Sequence, residues 1–338
     1  MADVRAADTA SEIAGGPGLG LTPDYEVSLE SLNQWQIAWR RFKRHKLAVF
    51  GGFLFVAMIL IAVVGPFILP FVSTNVPKPP AGGKCPDLAT RLFSAGCPPT
   101  LAHPFGTTGG LGFDVLTLVV NGARLSLIIG VGASVFSAVI GTVVGGVAGY
   151  FGGWIDNLLM RVCDVLLSLP LLFVIVVASA FLGAGDGLLG QLFGAGSWLI
   201  VLIVFSGLGW PGLARLVRSL FLTLRQEVFV EAARAVGVGD LRIIFRHILP
   251  NAISPIIVAT TLSVAGVIVG EAFVSYLGYG VSPTTPTWGN VLTASQDKMA
   301  QGNWWWPLFP GLGIVITVLG INFMGDGLRD ALDPRSKL

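Results

Sequence analysis

The sequence predicts an all-α integral membrane protein with six transmembrane helices, and three observations carry that prediction. First, 53% of its 338 residues are hydrophobic and only 12% are charged, against roughly 25% charged in a soluble domain. A soluble globule of this length has too much surface to cover with so few polar groups. Second, six runs free of Lys, Arg, Asp and Glu approach or exceed the ~20 residues that span a bilayer. They are Leu47–Leu69, Leu125–Phe151, Val165–Gly183, Trp198 to about Ala214, Ala252–Gly270 and Trp304–Met324. Third, these runs show no sustained period-2 alternation, which argues against a β-barrel. A mean hydropathy of +0.77 excludes a disordered chain. A net charge of +2 gives no footing for nucleic-acid binding.

The elements follow in order. Residues 1–34 are rich in Ala, Gly, Ser and acidic groups without periodicity, and read as a loosely ordered tail. Trp35–Lys46 is basic and aromatic and reads as an interfacial helix anchoring the first span. That span starts too far into the chain, and is too long, for a signal peptide. Its flank carries Arg40, Arg41, Lys43, Arg44 and Lys46, so this end is placed inside by the positive-inside rule. With that choice, 16 of the 21 Lys and Arg fall on the inner side, and both termini are expected to be cytoplasmic.

The outer segment 70–124 is Pro- and Gly-rich in its first half and contains Cys85 and Cys97. In an oxidising compartment these two can form a disulfide. The alternative is two separate thiols. Together with His103 they fall short of the four ligands of a structural zinc site, so no metal is expected. In the second span Ala133, Ser137, Gly141, Gly145 and Gly149 recur every four residues, a small-residue stripe suited to close helix packing. Pro170, Pro211, Pro255, Pro307 and Pro310 allow kinks in or beside the spans.

Six of the inner basic residues lie in one segment, 215–251. Here an amphipathic helix is expected over Gln226–Val236, with Val228, Phe229, Ala232, Ala233 and Val236 on one face and Gly237 as its C-cap. Asp240 is expected to N-cap a second helix, with Leu241, Ile244, Phe245 and Ile248 on one side, ended by Pro250. Two small alanines beside a glutamate suit insertion into a partner's groove. A helix lying on the membrane surface would show the same periodicity.

The segment Glu231-Ala232-Ala233, then Gly237, then His247-Ile248-Leu249-Pro250-Asn251 resembles the "EAA" loop of ABC-importer membrane subunits. Glu271–Gly280 with Pro283, Pro286, Trp288 and Gly289 resembles the dipeptide/oligopeptide/nickel branch. So do His103–Thr107 leading to Asp114 and Gly122–Leu127, and the ending Gly325–Arg335, which fits the C-type permease. Two outer positions depart from the family pattern: Thr108 stands where an Asp is usual, and Gly112-Phe113-Asp114 replaces Gly-Arg-Asp.

The resemblance implies a type I ABC-importer permease fold in the inner membrane of a prokaryote. It implies a coupling helix docking into an ATPase through Glu231, Ala232, Ala233, Gly237, His247, Leu249 and Pro250. It also implies four partners besides the lipid bilayer: a homologous second permease, two ABC ATPases and an extracytoplasmic binding protein. Peptides are the implied cargo, with nickel complexes or oligosaccharides as alternatives. ATP and Mg would be used by the ATPases, with no cofactor and no catalysis on this chain. The sequence agrees, since it holds no G-x-x-x-x-G-K-[ST] loop. The expected organisation is a tail (1–34), an interfacial helix and first span (35–69), an outer loop with a Cys-containing insert (70–124), a five-helix core (125–324) holding the coupling loop (215–251), and a tail (325–338). Glu271 abuts the outer end of the fifth span, where a buried carboxylate serves either as an outer gate or path residue or as a packing link to the turn that follows. A secondary transporter would be expected to carry ionisable residues inside its spans, and these runs carry none.

Overall fold

A computed structural model describes residues 34–70, 96–101, 103–108, 113–183 and 185–332. The expectations for residues 1–33 and for Cys85 lie outside the described residues. Among the described residues the regular structure is helical, apart from one antiparallel bridge between Thr107 and Asp114.

Helix α1 covers Gln34–Arg44 and α2 covers Lys46–Ile68. His45 separates them: its Nδ1 accepts the Ala48 N–H at 3.1 Å and caps α2. Helix α3 runs over Val115–Phe151. It begins ten residues before the expected second span because Asp114 accepts both the N–H and the hydroxyl of Thr117, each at 2.9 Å. Val115, Leu118, Val119 and Ala123 then bury one face of the added turns.

The expected third span, Val165–Gly183, is broken. Helix α4 (Gly153–Ser168) and α5 (Leu171–Gly183) meet at a 90° bend. Pro170 lacks an N–H and forces the residue before it out of the helical region; Leu169 accordingly sits at φ −88, ψ 143. A short α6 (Leu188–Phe193) precedes α7 (Trp198–Gly209) and α8 (Pro211–Leu224), which together make one apolar stretch with Pro211 in the first turn of α8.

The polar segment forms α9 (Val228–Ala235) and α10 (Asp240–Ile243). The expectation that Pro250 ends the second helix is corrected: a π-helical turn over Ile244–Ile248 leads directly into α11 (Leu249–Tyr276). Pro250 falls in the first turn of α11, directly after the wider π turn. Asp240 is not the N-cap either; Gly239 holds that position, and the Asp240 carboxylate is taken by another partner. Helix α12 (Trp288–Ala294) and the long α13 (Trp305–Leu332) follow. The last helix continues past residue 325, where a tail was expected, because Gly325 and Gly327 let Leu262 and Ala48 press against its backbone.

Among the described residues five helices are long and apolar enough to cross a membrane: Lys46–Ile68, Val115–Phe151, Trp198–Leu224, Asp240–Tyr276 and Trp305–Leu332. Counted as one broken span, the bent α4–α5 pair brings the number to six. Large apolar side chains such as Phe53, Phe67, Trp154 and Phe181 face outward, as lipid-facing or partner-facing surface requires.

The small-residue stripe of α3 seats α7 and α8. A Cβ at Gly145 would lie 2.3 Å from the Ala214 carbonyl oxygen, and one at Gly149 would lie 2.7 Å from that of Arg218. Among the described residues three apolar clusters follow from this packing. One joins α2, α3, α11, α12 and α13 around Trp288 and Trp305. A second joins α3, α5, α7 and α11 around Phe205. The third lies at the α9 end, around Phe221 and Ile248.

Candidate functional site

The α9 end of the bundle is built on α8. Arg215 pairs with Asp164, and Arg218 grips Asp156 through two bonds of 2.5 and 2.6 Å, tying α8 to α4. Arg225 donates to the carbonyls of Gly149 (3.2 Å) and Tyr150 (3.1 Å) and so caps the end of α3. The spacing of three and seven residues puts these arginines near one face of α8. That spacing was a readable signal, but nothing local names the partners.

Helix α9 rests on this base through Val230 and Ala233, which pack with Val217, Phe221, Ile243 and Ile248. The expected apolar face is therefore divided. Ala233 points inward with Val230, which was not in the expected set. Val228 (78% exposed), Phe229, Ala232 and Val236 (80%) face outward with Glu231. Leu241 and Phe245 extend the same exposure onto α10 and the π turn. Gly237, at φ +80, closes α9: its N–H donates to the Arg234 carbonyl at 2.9 Å, and that of Val238 donates to Ala233 at 3.0 Å. His247 and Leu249 are half-buried and Pro250 is exposed. The His247 carbonyl accepts from the Asn251 side chain at 2.7 Å. All seven residues expected in the docking loop thus lie at one end of the bundle: Glu231, Ala232 and Ala233 on α9, Gly237 just after it, His247 in the π turn, and Leu249 and Pro250 at the start of α11.

Glu271 lies at the opposite end and is fully buried. Its carboxylate accepts from Ser275 Oγ at 2.8 Å and from Ser126 Oγ at 3.1 Å, with Thr287 as a further partner. Ser126 in turn accepts the Trp288 N–H at 3.2 Å, and the Trp288 indole donates to the Val119 carbonyl at 3.0 Å. Three motif segments of the sequence, 122–127, 271–280 and 286–289, therefore meet around one carboxylate. Glycines permit the approach: a Cβ at Gly280 would sit 2.1 Å from Ser275 Oγ, and one at Gly289 would sit 2.8 Å from the Ala272 Cα.

Nearby, His103 Nδ1 lies 3.0 Å from Asp114. The Cys97 N–H donates to Thr107 Oγ1 at 2.9 Å, and the Trp305 indole donates to the Thr107 carbonyl. Phe105 stacks on Phe309 with ring centroids 3.9 Å apart. Among the described residues no three His, Cys, Asp or Glu side chains converge as metal ligands.

Apolar spans around small-residue seams, with a polar-loop helix packed at one end, define a polytopic membrane protein. The family model for binding-protein-dependent transport system inner membrane components matches residues 141–338, and that for the N-terminal transmembrane domain of oligopeptide transport permease C matches residues 33–80. The chain is 36% identical over 309 residues to the dipeptide transport system permease protein DppC of Bacillus subtilis (strain 168), covering 91% of this chain and 88% of that one. It is 37% identical over 306 residues to the glutathione transport system permease protein GsiD of Escherichia coli O6:K15:H31, covering 90% and 91%. Among solved structures, the inward-facing MetNI methionine ABC transporter matches with a TM-score of 0.50 at 22% identity, over 64% of this chain and 96% of that one. The chain belongs to the family of binding-protein-dependent transport system inner membrane components.

Proposed function

We propose that this chain is one permease half of an ATP-driven importer of di- or oligopeptides, with α9 as the helix that docks into an ATP-hydrolysing subunit. The observation that carries this reading is the outward apolar face of α9 and α10 beside Glu231, held on a buried underside. An apolar patch rimmed by charge is what a groove in a soluble partner takes up, and the glutamate can accept charge-assisted bonds from it. The basic residues of 215–251 support a cytoplasmic location for this end. The second permease completes the path, an external binding protein delivers cargo, and ATP with Mg is consumed on the ATPases. The permease itself does no chemistry. The relatives named for dipeptide and glutathione transport support a peptide cargo.

Purification from the native membrane in mild detergent is expected to bring down two ATPase subunits and a second permease. Replacing Glu231 by Lys places a like charge against the partner's donors, and Gly237→Val cannot hold φ +80 without strain. Each is expected to weaken ATPase retention at least about tenfold, the scale of an interface hot spot. Unchanged retention and unchanged ATP-dependent uptake of a di- and tripeptide mixture, in both variants, would overturn the assignment. Accumulation of nickel or oligosaccharide but no peptide would overturn the cargo.

The Cys85–Cys97 disulfide belongs to the same proposal, since it needs the outer loop in an oxidising compartment. Under denaturing conditions, alkylation is expected to label one thiol before reduction, that of Cys163, and three afterwards. Three labelled thiols before reduction would refute the bond.

A further inference from the structure

Tyr150 lies in the last turn of α3, only 5% exposed, and contacts both helices of the polar loop. Its hydroxyl donates to Asp240 of α10 at 2.5 Å, and Arg234 of α9 stands over its ring at 5.4 Å from the centroid. Its carbonyl is held by Arg225, and it packs in the cluster that contains Val230 and Ile243. Directly beyond it, Gly152 (φ +69, ψ −157) and Gly153 (φ +60) break the chain between α3 and α4 with backbone angles that favour glycine. Helix α3 itself is uninterrupted for 37 residues, about 55 Å at 1.5 Å per residue. Toward its other end, Ser126 holds Glu271 and the Trp288 backbone. One rod thus touches the docking helix at one end and the buried carboxylate cluster at the other.

We propose that Tyr150 is a positioning residue that delivers displacement of α9 and α10 to α3, and through α3 to the Glu271 cluster. The proposal rests on the docking role given above. A hydrogen bond to a carboxylate and a ring under a guanidinium make a directional link, where apolar packing alone would let the loop slide. The glycine pair lets α3 move without dragging α4 through a continuous helix. Coupling through such a chain of contacts has to be measured as an energy.

The test uses the complete importer in liposomes with spin labels at Arg124 on α3 and Leu308 on α13, both exposed. The readouts are ATP hydrolysis and the change in label distance on trapping with ATP and vanadate. Tyr150→Phe keeps the ring and removes the bond to Asp240. It is expected to leave ATPase retention intact and hydrolysis within about twofold, while the distance change falls at least about fivefold, the scale of one lost charge-assisted bond. Asp240→Ala, at an exposed position where unfolding is not at issue, should reproduce this effect. Asp240→Asn, which keeps an acceptor, should restore most of the change. The double variant should be no worse than either single one. A wild-type distance change in the Tyr150→Phe and Asp240→Ala proteins, additive losses in the double variant, or no nucleotide-dependent change in the wild type would overturn the proposal. Absence of ATPase subunits from the wild-type preparation would instead overturn the docking role and this proposal with it.

Discussion

Glu271→Ala is expected to destabilise the protein by about 3 kcal/mol or more, enough to lower both the thermal transition and the yield of a folded, detergent-soluble form. The side chain is fully buried, and its removal leaves a cavity among α3, α11 and α12. It also takes the acceptor away from the buried hydroxyls of Ser126 and Ser275. Glu271→Gln keeps the volume and one acceptor oxygen. Its amide would face hydroxyls that can rotate to accept, so the loss should be less than half that of alanine. The measurement is the thermal transition of purified protein, followed by tryptophan fluorescence. Equal stability of the alanine variant and the wild type would show that the carboxylate does not hold these segments together.

Gly145→Val is expected to be as severe by a different route. The first atom of any side chain at this position falls 2.3 Å from the Ala214 carbonyl oxygen and 2.9 Å from the Val217 Cβ. The obstacle is largely backbone, so α8 would have to move away from α3, opening the seam that also contains Gly141 and Gly149. Overpacking of a rigid core costs about 1–3 kcal/mol per site, and the displaced α8 carries both ion pairs to α4. Gly266→Ala is the control, since a Cβ there meets open space; its effect should stay within about 1 kcal/mol. If both variants give equal yields of monodisperse protein in detergent, close packing at Gly145 is not what the stripe is for.

Both predictions show where local reading reached its limit. The stripe from Ala133 to Gly149 was legible because helical period alone places its members on one face. Its partner was not, since nothing local says that α8 lies there. The apolar positions of α9 were legible, but not their division: Val228, Phe229, Ala232 and Val236 face outward, while Ala233 turns inward beside Val230. Helical period alone puts residues on a common face and does not say which of them the rest of the fold covers. The expected end at Pro250 failed because the helix runs on through a π turn over Ile244–Ile248, an irregularity that a local pattern does not reveal.

By itself the sequence determined the membrane class, the number and approximate limits of the apolar segments, and the loop that carries the family signature. Each of these follows from local composition, which bilayer thickness and helical period translate directly into structure. Tertiary structure alone decided which groups share a site. Ser126 and Glu271 are 145 positions apart, Ser126 and Trp288 are 162, and Tyr150 and Asp240 are 90. A hydrogen bond is short-ranged and indifferent to separation along the chain, so these pairs exist only once the long helices have packed.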